Sequence, residues 1–161
     1  MTDNYIQLQG DKDLLTLKIK TDKGELTGEE LVFDLQDIEL PLIYQDMLFK
    51  IQKNKEKLHN DFLVIDKRPD LKGKKLLSKN DEDRIKAYSD FTNKMVETYN
   101  MFLGPNGVQK LLNGRKLGWT TMAEIDEIID KQIAPQLTLT AESVAKKIVE
   151  KYNNKDNGEL K

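Results

Sequence analysis

The stretch FLGPNGVQK, residues 102–110, sets Gly104 and Gly107 three apart and just ahead of Lys110. A glycine turn that opens a helix can cradle a phosphate with its backbone N–H groups, so this is the first place to look for chemistry. A Walker A loop would need a Gly-Lys-Ser/Thr run whose glycine comes five residues beyond the first glycine. That position is Gln109 counted from Gly104 and Leu112 counted from Gly107. The competing reading is punctuation: Gly104 ends one helix in a left-handed cap, Pro105 starts the next, and Gly114 ends that one. The spacing favours punctuation.

The other reactive side chains are sparse. His59 is the single histidine, in the lysine-rich stretch KNKEKLHND, and a zinc site would require several more nitrogen or sulfur ligands. It reads as a solvated histidine. The acids of EIDEIIDK, Glu124, Asp126, Glu127 and Asp130, could be taken for a metal cluster or a glycosidase pair, and Asp126 and Asp130 share one helix face. Because the intervening isoleucines take the opposite stripe, these acids are expected on the solvated side of an amphipathic helix. Trp119, the sole tryptophan, is expected to staple onto its own helix toward Ala123, with Arg115 and Lys116 as a small basic edge beside it. No catalytic, cofactor-binding or metal-ligating residue is expected.

Composition narrows the classes further. The 26 basic and 28 acidic residues leave a net charge of −2, and the sequence pI is about 5.6. Dedicated nucleic-acid-binding domains are strongly basic, with a pI above about 9, so the charge disfavours that class. Cysteine is absent, which removes disulfides, thiolate metal sites and cysteine nucleophiles together and points to the cytoplasm. The N-terminal run shows no signal-peptide pattern, and no stretch approaches the length of a membrane span.

The elements that would position these residues follow from periodicity. The fold class expected is α+β, a single domain over residues 1–161 with an N-terminal β-hairpin and a mainly α-helical body of about five helices. Residues 13–20 alternate Leu15, Leu17 and Ile19 with polar neighbours, and residues 30–36 place Leu31, Phe33 and Leu35 on one face. The hairpin unit spans 13–36 and closes through the loop TDKGELTG. A helix capped by Asp37, with Pro41 in its first turn, carries Leu40, Ile43, Tyr44, Met47, Leu48 and Ile51 to about residue 59. A charged connector occupies 66–81. Asn80 caps a second helix striped by Ile85, Tyr88, Phe91, Met95, Tyr99 and Phe102. A short helix over 106–113 follows, then one from about 120 to 134 carrying Met122, Ile125, Ile129 and Ile133, stopped by Pro135. The last, 140–152, starts at Thr140 and aligns Ala141, Val144, Ile148 and Tyr152, leaving 153–161 as a disordered tail.

Two resemblances follow from this layout. The GPNG turn resembles the GXXG loop of KH RNA-binding domains, although its two central residues are not basic and no convincing strand follows. That likeness supports only an alternative, a small KH-like or regulatory nucleic-acid-binding module using the Gly104–Gly107 turn. The whole order of elements, with GEELVFDLQDIELP, then FLGPNGVQKLLNGRK, then a helix ending at IAPQL, resembles the tail assembly chaperones of long-tailed bacteriophages and of prophages in Gram-positive bacteria. Their central glycine turn would fall on Leu103, Gly104, Gly107, Lys110, Leu111, Leu112 and Gly114. The resemblance spans about residues 13–152. It implies a non-enzymatic protein of the host cytoplasm, missing from the finished virion, that binds the tape-measure protein, keeps it soluble and helps recruit tail-tube protein. It also implies possible homo-oligomers.

Overall fold

The computed structural model describes residues 4–7, 13–71, 73 and 76–159. The fold is α+β. Strands β1 (Leu14–Lys20) and β2 (Leu26–Asp34) pair antiparallel, with Leu15 opposite Phe33 and Leu17 opposite Leu31. Because side chains alternate along a strand, this register puts Ile19, Leu31 and Phe33 on one buried face and Thr16, Lys18, Glu30 and Val32 on the other. The connecting turn is tighter than the sequence suggests. Thr21 and Glu25 close it through a 2.7 Å hydrogen bond, so β2 begins at Leu26 rather than at residue 30, with an irregular register between Lys18 and Lys20.

The hairpin lies against a body of helices. Helix α1 (Leu40–Asp66) starts later and runs further than predicted. Asp37 does not cap it; its carboxylate accepts from the Glu39 N–H in the turn just before. The helix continues past His59 because Leu58 and Ile65 prolong the buried stripe begun by Met47 and Ile51. Helix α2 (Lys79–Leu103) packs along α1. Its cap is Ser78, whose hydroxyl accepts from the Asp81 N–H at 3.1 Å, and not Asn80. Asn80 is buried instead, donating to the carbonyls of Ile65 and Arg68 and so tying the end of α1 to the start of α2. Of the predicted α2 stripe, Ile85 is exposed while Phe91, Met95, Tyr99 and Phe102 are buried. Ser78→Ala is expected to lower stability by about 1 kcal/mol, the usual worth of such a cap, read as a shift in the urea midpoint.

Helix α3 (Gly107–Leu112) is short, and α4 (Trp119–Ile128) leads into a π-helical turn (Ile129–Ile133) and then α5 (Ala134–Glu159). Pro135 therefore does not stop the helix. Proline is tolerated in the first turn of a helix but not in its interior, where its ring strikes the carbonyl four residues back. Here the wider π turn, closed by the Ala134 N–H on the Ile129 carbonyl, precedes the proline and lets the chain continue as one rod. It also corrects phase. A four-residue step overshoots one α-turn, so Ile125, Ile129, Ile133 and Leu137 would drift around an ideal helix; with the wider turn all four are buried. Thr140 is mid-helix, donating to the Gln136 carbonyl at 2.9 Å, and does not begin a new element. The helix also passes through 153–159, where the sequence predicts a disordered tail; residues 160 and 161 lie outside the described residues.

One buried cluster joins these parts: Leu31 and Phe33 from the hairpin, Met47 from α1, Met95 and Tyr99 from α2, Val108 from α3, and Ile125, Ile133 and Leu137 from the last rod.

Candidate functional site

The glycine turn is buried at Gly107, while Pro105 and Asn106 at its tip are exposed. Gly104 ends α2 with φ 93° and ψ 176°, a positive-φ extended conformation rather than the left-handed helical cap expected, and its N–H bonds to the Asn100 carbonyl at 3.1 Å. The left-handed residue is Asn106, φ 58° and ψ 21°, which starts α3. Pro105 lies in the turn between the helices. The amides that a phosphate would use are committed: Gly107 donates to the Gly104 carbonyl at 3.0 Å and Val108 to the Asn100 side-chain carbonyl at 2.8 Å. Lys110 leans toward Glu29 on the hairpin, 3.9 Å away. A Cβ placed on Gly107 would lie 2.5 Å from Leu103 Cβ and 3.6 Å from Leu31 Cδ2, so the turn is the point where α2, α3 and the hairpin meet.

The acids of α4 separate into different roles. Glu124 faces Arg115 at 3.8 Å, and Glu127 accepts from Lys131, which holds its carboxyl below the usual range. Asp126 departs from the solvated role predicted for it. It is half-buried and accepts a 2.5 Å hydrogen bond from the hydroxyl of Tyr99, a side chain with no exposed surface. Burial first, and then the carboxylate beside it, push the Tyr99 pKa well above its ordinary value. Asp130, one turn on, is exposed, and with burial it raises the Tyr44 pKa across the groove. Asp126 and Asp130 thus do share a face, as predicted, but that face is the rim of a groove of about 420 Å³ between α1 and the last rod. Among the described residues no group of three or more His, Cys, Asp or Glu side chains is placed to hold a metal ion. His59 is exposed on α1.

Trp119 does not staple onto α4. Its ring lies 5.3 Å from that of Tyr88 and 5.8 Å from that of Phe91, both on α2, so it anchors the start of α4 to the neighbouring helix while staying 60% exposed. The Tyr88 hydroxyl is buried beside the Trp119 backbone without reaching hydrogen-bonding geometry, and burial raises its pKa. The turn before α4 is held by Thr121, whose hydroxyl accepts from the Gly118 N–H at 2.8 Å. Arg115 and Lys116 are both exposed.

The feature that periodicity alone misses is on α1. Its buried stripe, Met47, Ile51, Leu58 and Ile65, faces the core, yet Leu42 and Phe49 lie at helical spacing on the opposite side and are 64% and 60% exposed. Ile38, in the turn just before the helix, is exposed beside them, and Leu63 is exposed near the helix end, beyond Lys53, Glu56 and Asn60. Lys53 sits over the Phe49 ring, 5.3 Å from its centroid. The signal was present as apolar residues between the turns of the core stripe, but a search for one face assigns them to no role. Single exposed apolar side chains are ordinary, whereas apolar side chains aligned on a helix mark an interaction surface.

Comparison with protein-family models, with curated proteins and with solved structures finds no match for this chain. Among the described residues no helix is long and apolar enough to cross a membrane.

Proposed function

We propose that this protein is a non-enzymatic assembly chaperone of the phage-tail type, binding the tape-measure protein as a helical client and assisting assembly of the tail tube. The observation that carries the reading is the outward apolar pair of α1, Leu42 and Phe49, with Ile38 exposed in the turn before them, none of which packs in the chain's own core. A long amphipathic client helix has its own apolar stripe to cover, and helix-on-groove docking uses anchors at such spacings. The α+β layout agrees with the likeness in element order described above. The inward commitment of the GPNG amides takes support from the nucleic-acid alternative.

The test is co-expression with the tape-measure protein followed by light scattering of the soluble fraction. A soluble complex is expected with the native chain. Leu42→Asp together with Phe49→Asp should leave the fold intact, since both positions are exposed, and return the client to the insoluble fraction. Retention of the complex by that double variant would remove α1 as the client surface, and failure of the native chain to hold the client soluble would end the reading.

A further inference from the structure

The hairpin leaves the edge of β1 open beside a cleft. In an antiparallel pair, residues that exchange hydrogen bonds with the partner strand alternate with residues whose N–H and C=O point away from it. The Leu35 N–H donates to the Asp13 carbonyl at 2.8 Å, which fixes residues 13, 15 and 17 as the ones bonded to β2. Leu14, Thr16 and Lys18 therefore turn their backbone groups to the open edge, and the Thr21–Glu25 bond turns Lys20 the same way. Among the described residues no hydrogen bond reaches these outward groups, and the sheet has two strands only.

Beyond that edge lies a cleft of about 210 Å³ between β1, α3 and α4. Its floor prolongs the apolar face of the sheet: Leu17, Leu111 and Ile128 are half-buried there, beside the buried Ile125. The charged residues lining it are Lys18, Lys20, Arg115 and Glu124. Arg115 and Glu124 stand 3.8 Å apart and offset each other, whereas Lys18 and Lys20 have no ion-pair partner within 4.0 Å among the described residues. Glu30 stands opposite Lys18 on β2, away from the cleft.

We infer that the edge of β1 takes an extended segment of a partner protein as a third strand, one in which apolar and acidic side chains alternate. The unpaired row of backbone donors and acceptors selects an extended chain over a helix, whose main-chain groups are already bonded to one another. Along the added strand, one set of side chains falls toward Leu17, Leu111 and Ile128, and the other falls beside Lys18 and Lys20. The two lysines favour acids in that second set. Lysines on an edge also oppose its pairing with another copy of itself. The inference is independent of the client reading, which uses α1 and a helical partner.

The probe is a blocked peptide of about eight residues alternating valine and glutamate, titrated into the isotope-labelled full chain, with a valine–lysine peptide as control. Binding should slow amide hydrogen exchange at Thr16 and Lys18 and leave Leu15 and Leu17, already bonded to β2, unchanged. Thr16→Pro removes one outward donor without touching the ladder to β2, and should weaken the peptide at least about tenfold with an unchanged far-UV circular dichroism spectrum. Lys18→Gln with Lys20→Gln, both exposed, should weaken it about tenfold and abolish its advantage over the valine–lysine peptide. A peptide that leaves the Thr16 and Lys18 amides unchanged overturns the inference. So does equal binding of the two peptides to the native chain, and so does full affinity in either folded variant. Protection of the same amides in the native chain alone, rising with its concentration, overturns it by giving the edge to a second copy.

Discussion

Gly107→Val is expected to destabilise the protein by about 3 kcal/mol or more, enough to remove a large share of the stability of an ordinary domain. The cause is contact rather than backbone conformation. Gly107 is buried at the start of α3, and any Cβ there would stand 2.5 Å from Leu103 Cβ, with Asn100 Oδ1 and Leu31 Cδ2 each 3.6 Å away on the other sides. Leu103 is itself buried, so α3 would have to lift from α2, loosening the bond from Val108 N–H to Asn100 and the seat of the hairpin on both helices. Gly104→Val separates the two effects. Nothing lies within 4 Å of a Cβ at that position, but φ of 93° with ψ of 176° is a region nearly reserved for glycine, with a cost of about 1–3 kcal/mol. Urea unfolding of both variants should rank Gly107 above Gly104. Lys110→Ala, which removes only a long, partly exposed pairing with Glu29, should shift the midpoint little. The reverse order would mean that the turn holds its shape through the backbone alone.

These expectations show which features of the sequence were readable. The hairpin was legible because one strand face is buried and the other solvated, which forces a clean two-residue alternation in Leu15, Leu17 and Ile19 and again in Leu31, Phe33 and Leu35. Helix positions were legible from their core stripes, but their ends were not. Ser78 and Asn80 are both good capping types, and only the tertiary partners of Asn80, the carbonyls of Ile65 and Arg68, decide between them. Pro135 misleads because a stop is the local rule; the continued rod depends on a π turn that earns its place by bringing Ile129, Ile133 and Leu137 into the core together. The outer apolar pair of α1 was written in the sequence, yet nothing local separates apolar residues that will be covered from those that will not.

The Tyr99–Asp126 pair was hidden for the same reason: a carboxylate among three other acids, on a helix whose apolar face is obvious, has no local mark of a buried partner 27 residues earlier. Its energetic consequence is specific. Tyr99→Phe keeps the ring that fills the core between α1, α2 and α4 and removes only the hydroxyl, leaving Asp126 half-exposed and able to recover water. A loss of about 1.5–2 kcal/mol is expected at neutral pH, in the range of a hydrogen bond to a charged group. The pH dependence gives the stronger test. A tyrosine titrates near 10 when unfolded, and in the fold burial and the Asp126 carboxylate hold it higher. Its contribution is therefore fully present below pH 10, where both states keep the proton. Above pH 10 the unfolded chain releases that proton while the folded chain retains it, so stability falls as pH rises, by up to about 1.4 kcal/mol per unit for this one group. Burial also raises the pKa of Tyr44 and Tyr88, so the quantity to measure is the difference between native protein and Tyr99→Phe in urea unfolding from pH 9 to 11, in which the groups common to both cancel. The gap between them should narrow steadily above pH 10. A gap that stays constant across that range would mean that Tyr99 is not held by Asp126 and that the hydroxyl is reachable by water.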